Sequence, residues 1–317
     1  MQATVSQSPG LRNDLLMVIP REELETAHFH VVNRREFMGL PGLLRGATRQ
    51  DQIERDRVNA LKRPVGEHLE ALGLVDPAGR ALARVVAIGS RNVGNNRGFH
   101  AWQRNCEPQH FLIRGDTPFA APLPMLAFTR ASELVVRDLL PQDPGNDIEW
   151  CVFANCVLRR GRPMPVEEIA DQFYDIGHLV AVDRRTEEGQ AALTQLYDGF
   201  TLRPKAEIVA AMRDLRLPRN RYLHNAIGLS AERVVILQRE GTIEEFAAWL
   251  KEAGAEDGFI LDNGGSVFCW AWWVNGTGGY LYRAPDFREP SSAVLALVLR
   301  GPARTALPSG SLSYTVS

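Results

Sequence analysis

Short apolar segments recur along the chain, separated by glycine, proline and charged residues. Apolar segments of about four to eight residues with turn residues at both ends are typical of strands. The pattern predicts strands at residues 15–19, 83–88, 125–129, 133–137, 149–158, 178–182, 234–238, 259–261, 267–274, 279–282 and 292–299.

Fewer segments place their apolar residues at helical spacing. They predict helices at residues 51–61, 166–174, 187–196 and 204–215, a short helix that ends at Leu72, and a helix from Thr242 to Gly254. The last has the clearest ends, since Thr242 and Glu245 fit a capping box and Gly254 is a typical terminator. Because strands outnumber helices and do not alternate regularly with them, we predict an α+β fold. Its large mixed, mostly antiparallel β-sheet packs with several helices.

The two ends of the chain differ in composition from the rest. Residues 1–13 are polar, and residues 301–317 are rich in proline, serine, glycine and threonine, so we expect loosely held ends. We assign residues 14–300 to a single domain and residues 301–317 to a tail.

Composition narrows the function classes. With 45% hydrophobic residues and a formal net charge of -2, the chain has no overall field that favours nucleic acid or an anionic membrane. The N-terminus has no basic-then-apolar signal pattern, and no segment approaches the roughly 20 apolar residues that span a bilayer. We therefore expect a cytoplasmic protein without nucleic-acid or membrane partners. The cysteines lack close Cys-x-x-Cys spacing, which favours reduced, mostly buried thiols at Cys106, Cys151, Cys156 and Cys269.

Residues 262–266, Asp-Asn-Gly-Gly-Ser, follow the predicted strand at 259–261. Glycines let the main chain approach a ligand closely, and their amides can point at an anion. The alternative is a tight turn in which Asp262 and Asn263 bond their own backbone, and these five residues alone favour that turn.

The wider context changes this interpretation. Residues 224–228 read His-Asn-Ala-Ile-Gly, and they precede a strand, a helix, Gly254-Ala255, Leu-Asp-Asn-Gly-Gly-Ser at 261–266, and Arg288 before the last strand. This order resembles the phosphodiester glycosidase family, the group that includes the enzyme that uncovers mannose 6-phosphate. The family pattern is Arg-Thr-Ala-Ile-Gly, strand, helix, Gly-Ala, Leu-Asp-Gly-Gly-Gly-Ser and a later arginine. The resemblance is best over residues 224–300, extends weakly to Ala-Ile-Gly-Ser at 87–90, and does not reach residues 1–80.

The resemblance implies an enzyme that cleaves a sugar from a phosphodiester. Asp262 would be the base or nucleophile, or a ligand of a divalent cation that acts indirectly. Asn225 and His224 would lie beside it as catalytic residues, with His224 as the acid/base because imidazole titrates near neutrality. A histidine that is simply bonded at a strand end is an equal alternative. The substrate would be bound by Asn263, Gly264, Gly265, Ser266 and Arg288.

Two positions depart from the family pattern. His224-Asn225 replaces Arg-Thr, and Asn263 replaces the first motif glycine. These departures predict an altered substrate, an altered reaction, or the loss of catalysis.

Two further groups of polar residues are weaker candidates. In the Gly-Asn-rich loop at 89–98, Arg91, Asn92 and Arg97 could bind an anionic substrate, although a solvent-exposed loop is the more common role. This loop lacks the Gly-Lys-Ser/Thr ending of a P-loop, which excludes that mode of nucleotide binding. His28 and His30 share a strand face as a candidate metal pair, but without an evident third ligand a half-exposed strand is favoured.

We therefore predict a phosphodiester glycosidase-like hydrolase that acts on a small phosphorylated sugar or nucleoside, in specialised metabolite biosynthesis. A divalent cation is the one cofactor that the candidate site suggests. The alternatives are a family member with a non-glycosidase tailoring reaction and a non-catalytic ligand-binding module.

Overall fold

The fold is seen in a computed structural model. It describes residues 14–38, 57, 59–90, 100–107, 109–112, 122–140, 142–153, 155–165, 168, 187, 222–272, 278–285, 287, 291–301 and 313–316.

Three β-sheets contain the strands of the described residues, numbered here in chain order. Sheet I has the strand order β10 (Arg162–Pro163), β9 (Asn155–Arg159), β13 (Asp257–Asn263), β11 (Tyr222–Leu229), β12 (Arg233–Gly241), β1 (Leu15–Pro20) and β17 (Ser313–Val316). Sheet II has the order β15 (Gly278–Arg283), β14 (Phe268–Trp272), β3 (Arg84–Gly89), β16 (Ala293–Leu299) and β2 (Leu24–Val31). Sheet III has the order β5 (His110–Leu112), β4 (His100–Gln103), β8 (Ile148–Phe153), β6 (Leu123–Thr129) and β7 (Leu134–Leu139).

Helices are few in the described residues: α1 (Arg34–Met38), α2 (Val65–Ala71) and α3 (Ile243–Glu252), with 3₁₀ turns at Arg21–Glu23 and Gly264–Ser266. Thr242 and Glu245 form the predicted capping box at the start of α3. Among the described helices, none combines the length and the apolar character needed to cross a bilayer.

The core forms between sheets I and II, which pack face to face. Strand β1 alternates, so that Leu15, Met17 and Ile19 are buried in a cluster that also contains Ile88 and Leu295 of sheet II. Helix α3 covers the outer face of sheet I through Phe246 and Leu250, and α2 covers the outer face of sheet II. Burial of these apolar surfaces is the main stabilising contribution to the layered arrangement.

The antiparallel character of the predicted fold is confirmed, since the strand pairings described are antiparallel. The single large sheet is corrected to three, and helices are few among the described residues. The predicted strand at 149–158 is two strands, β8 in sheet III and β9 in sheet I. The tail is not wholly loose, because β17 pairs with β1.

The other predicted elements divide into three groups. The strands at 15–19, 83–88, 125–129, 133–137, 234–238, 259–261, 267–274, 279–282 and 292–299 correspond to β1, β3, β6, β7, β12, β13, β14, β15 and β16. Apart from residues 168 and 187, which are helical, the elements at 166–174, 178–182, 187–196 and 204–215, and most of the helix at 51–61, lie outside the described residues. Strands β4, β5, β10, β11 and β17 were not predicted, and β2 was expected only around His28 and His30.

Candidate active site

A β-bulge in β13 determines the direction of the candidate carboxylate. Asn225 pairs with Asp262, but the next residue, Ala226, pairs with Ile260, so Leu261 is an extra residue in β13. Directly paired residues project to the same face of a sheet, whereas simple alternation from Leu261 would send Asp262 to the opposite face. The bulge therefore puts Asp262 on the face of Asn225, which is the face that packs on sheet II.

Asn225 connects the two sheets through a short polar network. Its Nδ2 donates to the carbonyl oxygen of Gly89 at the end of β3. Its Oδ1 accepts a hydrogen bond from Nε2 of Gln238, the residue opposite Asn225 on β12, at 3.0 Å. The same Nε2 donates to the carbonyl oxygen of Phe268 at 2.6 Å. Asn225 and Gln238 are fully buried, so these bonds form in a low-dielectric interior where they are strong.

The close approach of β3 to the turn at Gly264–Ser266 requires a glycine. A Cβ atom on residue 89 would lie 2.9 Å from the Ser266 carbonyl oxygen and 3.0 Å from a ring carbon of Phe268. Gly265 and Ser266 are half-buried, while Asp262 is 6% exposed. The turn therefore lies at the solvent edge of a site whose carboxylate is deeper.

Ser90, the residue after this glycine, is buried, and its Oγ has no hydrogen-bond partner among the described residues. Val86 and Ile88 belong to the cluster between the sheets, and by alternation Ser90 shares their face. Its hydroxyl thus adds a buried polar group to the face of β3 that packs on sheet I.

His224 lies on the other face of sheet I. Its ring makes an edge contact with Phe246 of α3, with ring centroids 5.2 Å apart. Arg239 is opposite His224 on β12. Its guanidinium carbon lies 3.8 Å from the ring centroid of Trp249, which is also in α3. The structure therefore brings Asp262 and Asn225 together but places His224 in the packing layer under α3.

Comparison with solved structures found partial matches. One of them is a phosphodiester glycosidase. It is the zebrafish N-acetylglucosamine-1-phosphodiester alpha-N-acetylglucosaminidase catalytic domain auto-inhibited by its pro-peptide, with 14% identity and a TM-score of 0.44 over 76% of this chain and 68% of that one. A hypothetical protein from Synechocystis matches with 12% identity and a TM-score of 0.37, over 93% of this chain and 61% of that one. No family model and no curated protein matches the sequence.

Several predicted substrate-binding residues fall outside the described part of the chain, namely Arg288, Arg91, Asn92 and Arg97. For Asn263 and Gly264 the structure describes the main chain, with Asn263 at the end of β13 and Gly264 at the start of the 3₁₀ turn. Within the described residues, no group of three or more His, Cys, Asp or Glu side chains could hold a metal ion. The divalent cation therefore stays a prediction.

Two buried polar residues, Gln238 of the network and Ser90 next to Gly89, were missed as site residues from the sequence. Gln238 follows the apolar residues 234–237, and a single buried amide in such a strand was the signal that could have revealed it. Ser90 belongs to the Ala-Ile-Gly-Ser segment of the resemblance, but its hydroxyl was not singled out.

The other candidate groups lie away from this network. His30 contacts His68 of α2, with the two Nδ1 atoms 3.0 Å apart, and His28 is half-buried on the same strand.

All four cysteines are free thiols, and three of them are buried as predicted. Burial raises the pKa of Cys151 and Cys156 to about 12 and also raises the pKa of Cys269. These three thiols are therefore protonated at neutral pH and do not serve as nucleophiles.

Proposed function

We propose that the protein is a phosphodiester glycosidase-like hydrolase that acts on a small phosphorylated sugar or nucleoside. The observation that carries the proposal is the bulge in β13, which puts Asp262 opposite Asn225 of the buried network, two residues before Gly264 at the start of the turn. A carboxylate, an amide and a glycine-containing turn, close to the C-terminal end of β13, supply the groups that such a reaction needs.

In the proposed reaction, a water oxygen bonds to the anomeric carbon while the bond from that carbon to the phosphate oxygen breaks. Asp262 accepts the proton of the attacking water or bonds to the anomeric carbon itself before hydrolysis. The bonding electron pair leaves with the phosphate group. Donors fixed in advance stabilise this departing charge most effectively, and the Asn225 amide and the turn amides are the donors proposed here.

In this proposal, Asp262 and His224 do not act as a neighbouring acid/base pair. Because His224 lies against Phe246, under α3, it enters the proposal as a packing residue that fixes the end of β11. Asp262 and Asn225 are then the proposed catalytic residues.

Asp262→Asn tests the proposal because it keeps the shape of the side chain and removes its charge. We expect turnover of glycosyl phosphodiesters by the wild type and a loss of at least about 1000-fold in kcat for the variant, since removal of a base or nucleophile removes a whole catalytic step. The measurement is sugar release from a panel of sugar and nucleoside phosphodiesters.

The matched control is Asp257→Asn, at the other end of β13. Asp257 accepts hydrogen bonds from Arg159 Nη1 and from the Arg160 amide, and an asparagine oxygen can accept both. This control should retain wild-type turnover. Equal turnover by the wild type and Asp262→Asn, or none by either, would refute the hydrolase proposal. Saturable binding without product would identify a ligand-binding module instead.

A further inference from the structure

We propose that Gln238 is a positioning residue for the candidate site. It fixes the orientation of the Asn225 amide and so holds one Asn225 N–H ready for a substrate oxygen. This inference rests on the proposed function, because the group that it orients belongs to that site.

The direction of each hydrogen bond in the network follows from two main-chain carbonyls. A carbonyl oxygen only accepts, so Phe268 O requires the amide nitrogen of Gln238, and Gly89 O requires the amide nitrogen of Asn225. Gln238 Nε2 has two hydrogens, one for Phe268 O and one for Asn225 Oδ1. Both amide groups are therefore locked in one orientation, without a flipped alternative of similar energy.

Among the described residues, the locked orientation leaves one hydrogen of the Asn225 amide without an acceptor. Asn225 Nδ2 also has two hydrogens, and the described residues take one of them through Gly89 O. Directly paired residues have Cβ atoms about 4.5–5.5 Å apart, so this group is a neighbour of Asp262 across the strands. The second Asn225 N–H is then the group that donates to a substrate oxygen near the carboxylate.

Gln238→Glu removes both donors while it preserves the volume of the side chain. The ionised carboxylate of this variant would face two acceptors, Phe268 O and Asn225 Oδ1. A flip of the Asn225 amide would relieve one of these contacts but would turn its oxygen toward Gly89 O. Every orientation therefore contains an acceptor–acceptor contact, which costs free energy in a buried site.

The test is the pH profile of the Gln238→Glu variant. A protonated glutamic acid can donate one hydrogen bond, and burial favours that neutral form. We expect kcat at low pH to approach the wild-type value, and to fall by about 10- to 100-fold as the pH rises through the pKa of the new side chain. The wild type should lack this decrease. The ionisable groups that adjoin the network on its strands are Asp262, which is opposite Asn225, and His224 and Arg239, which are adjacent in sequence to Asn225 and Gln238. All three are common to both proteins.

Gln103→Glu is the matched control. Gln103 is in β4 of sheet III, and its Oε1 accepts a hydrogen bond from Arg34 Nη1. A carboxylate can accept the same bond. This control should show the wild-type profile. If Gln238→Glu also shows the wild-type pH profile, while Asp262→Asn loses turnover, the positioning role is refuted and the hydrolase proposal stands.

A binding measurement tests the positioning role even if the protein does not hydrolyse phosphodiesters. The dissociation constant of glucose 1-phosphate, measured by calorimetry, should increase with pH in Gln238→Glu relative to the wild type. If the wild type binds this probe without hydrolysing phosphodiesters, a pH-dependent loss of binding supports the positioning role and only the hydrolase proposal fails. If Gln238→Glu does not fold, Gln238→Met is assayed instead, and an unchanged kcat or dissociation constant in that variant refutes the role.

Discussion

At the scale of single residues, the His30–His68 pair shows how hydrogen bonds fix protonation. His68 Nε2 lies 3.0 Å from the carbonyl oxygen of Ser291, so it must donate, and the other nitrogen of neutral His68 must accept. His30 Nδ1 therefore donates to His68 Nδ1. Burial, together with the neighbouring charges of His68 and Arg34, lowers the pKa of His30 from 6.5 to about 4.

The lowered pKa predicts acid sensitivity. Below pH 6.5 the unfolded chain protonates His30 while the folded protein does not until about pH 4, so the stability that this residue contributes is lost as the pH falls through that window. At about 1.4 kcal/mol per pKa unit, the loss is about 3 kcal/mol. We expect His30→Asn to flatten the dependence of the unfolding free energy on pH between 4 and 6.5, measured by urea unfolding.

His28→Asn is the control for this experiment. His28 lies two residues earlier on β2, and burial alone lowers its pKa. Most of the pH dependence should remain in this variant. A steep dependence that survives in His30→Asn would contradict the assignment.

The faces of β11 explain why the site could be predicted only in part at this scale. His224 and Asn225 are adjacent in sequence, and a motif comparison treats them as a unit. In a strand they project to opposite faces, so one contacts Phe246 and the other Gly89. Asp262 and Asn225 could be paired from the resemblance, whereas Gln238 could not, because its role depends on the carbonyl of a strand in another sheet.

At the scale of elements, the contact between β3 and the Gly264–Ser266 turn depends on a missing side chain. Gly89→Ala would place its Cβ 2.9 Å from Ser266 O, and this main-chain atom can move only if the turn moves. We expect a loss of about 1 to 3 kcal/mol in unfolding free energy, the usual cost of overpacking, together with lower activity at the candidate site. Urea unfolding and sugar release measure the two effects.

Gly66→Ala provides the contrast within the same chain. A Cβ on residue 66 meets nothing within 4 Å, and Gly66 lies in α2, where alanine is the better helix former. This substitution should raise the unfolding free energy by about 0.5 to 1 kcal/mol. A similar effect of both substitutions would show that the space around Gly89 is not limiting.

Local signals predicted most of the described elements but not their partners. Helix α3 was predicted from its capping box, and most strands were predicted from their apolar composition. The predicted strand at 149–158 failed because both halves are buried, so the apolar pattern continues while the chain passes from sheet III to sheet I. Strand β17 was missed because its partner, β1, lies at the other end of the chain.

At the scale of the whole molecule, Arg159 connects sheets I and III. From β9 it pairs with Asp138 of β7 at 3.3 Å and with Asp257 of β13 at 3.1 Å. Burial lowers the pKa of Arg159, but the two carboxylates more than offset this and raise it above its usual value. The guanidinium is 14% exposed, so its bonds are partly shielded from water.

We expect Arg159→Gln to lower the unfolding free energy by about 1 to 3 kcal/mol, because it leaves two carboxylates without their charged partner. The control is Arg162→Gln, on the adjacent strand β10, where the ion pair with Glu168 is exposed on both sides. Exposed pairs contribute little, so this control should unfold like the wild type. Equal denaturation midpoints for the two variants would mean that Arg159 does not connect the sheets.

The extra residue in β13 also bears on how relatives of this protein are compared. If the same seven residues paired without Leu261 looped out, Asp262 would face α3 next to His224. The proposed activity thus depends on the spacing of main-chain hydrogen bonds as well as on the side chains of the motif. Sequence alignments compare residues column by column and do not detect a change in strand pairing. If Asp262 is catalytic, a homologue with the same motif but without the bulge is expected to be inactive.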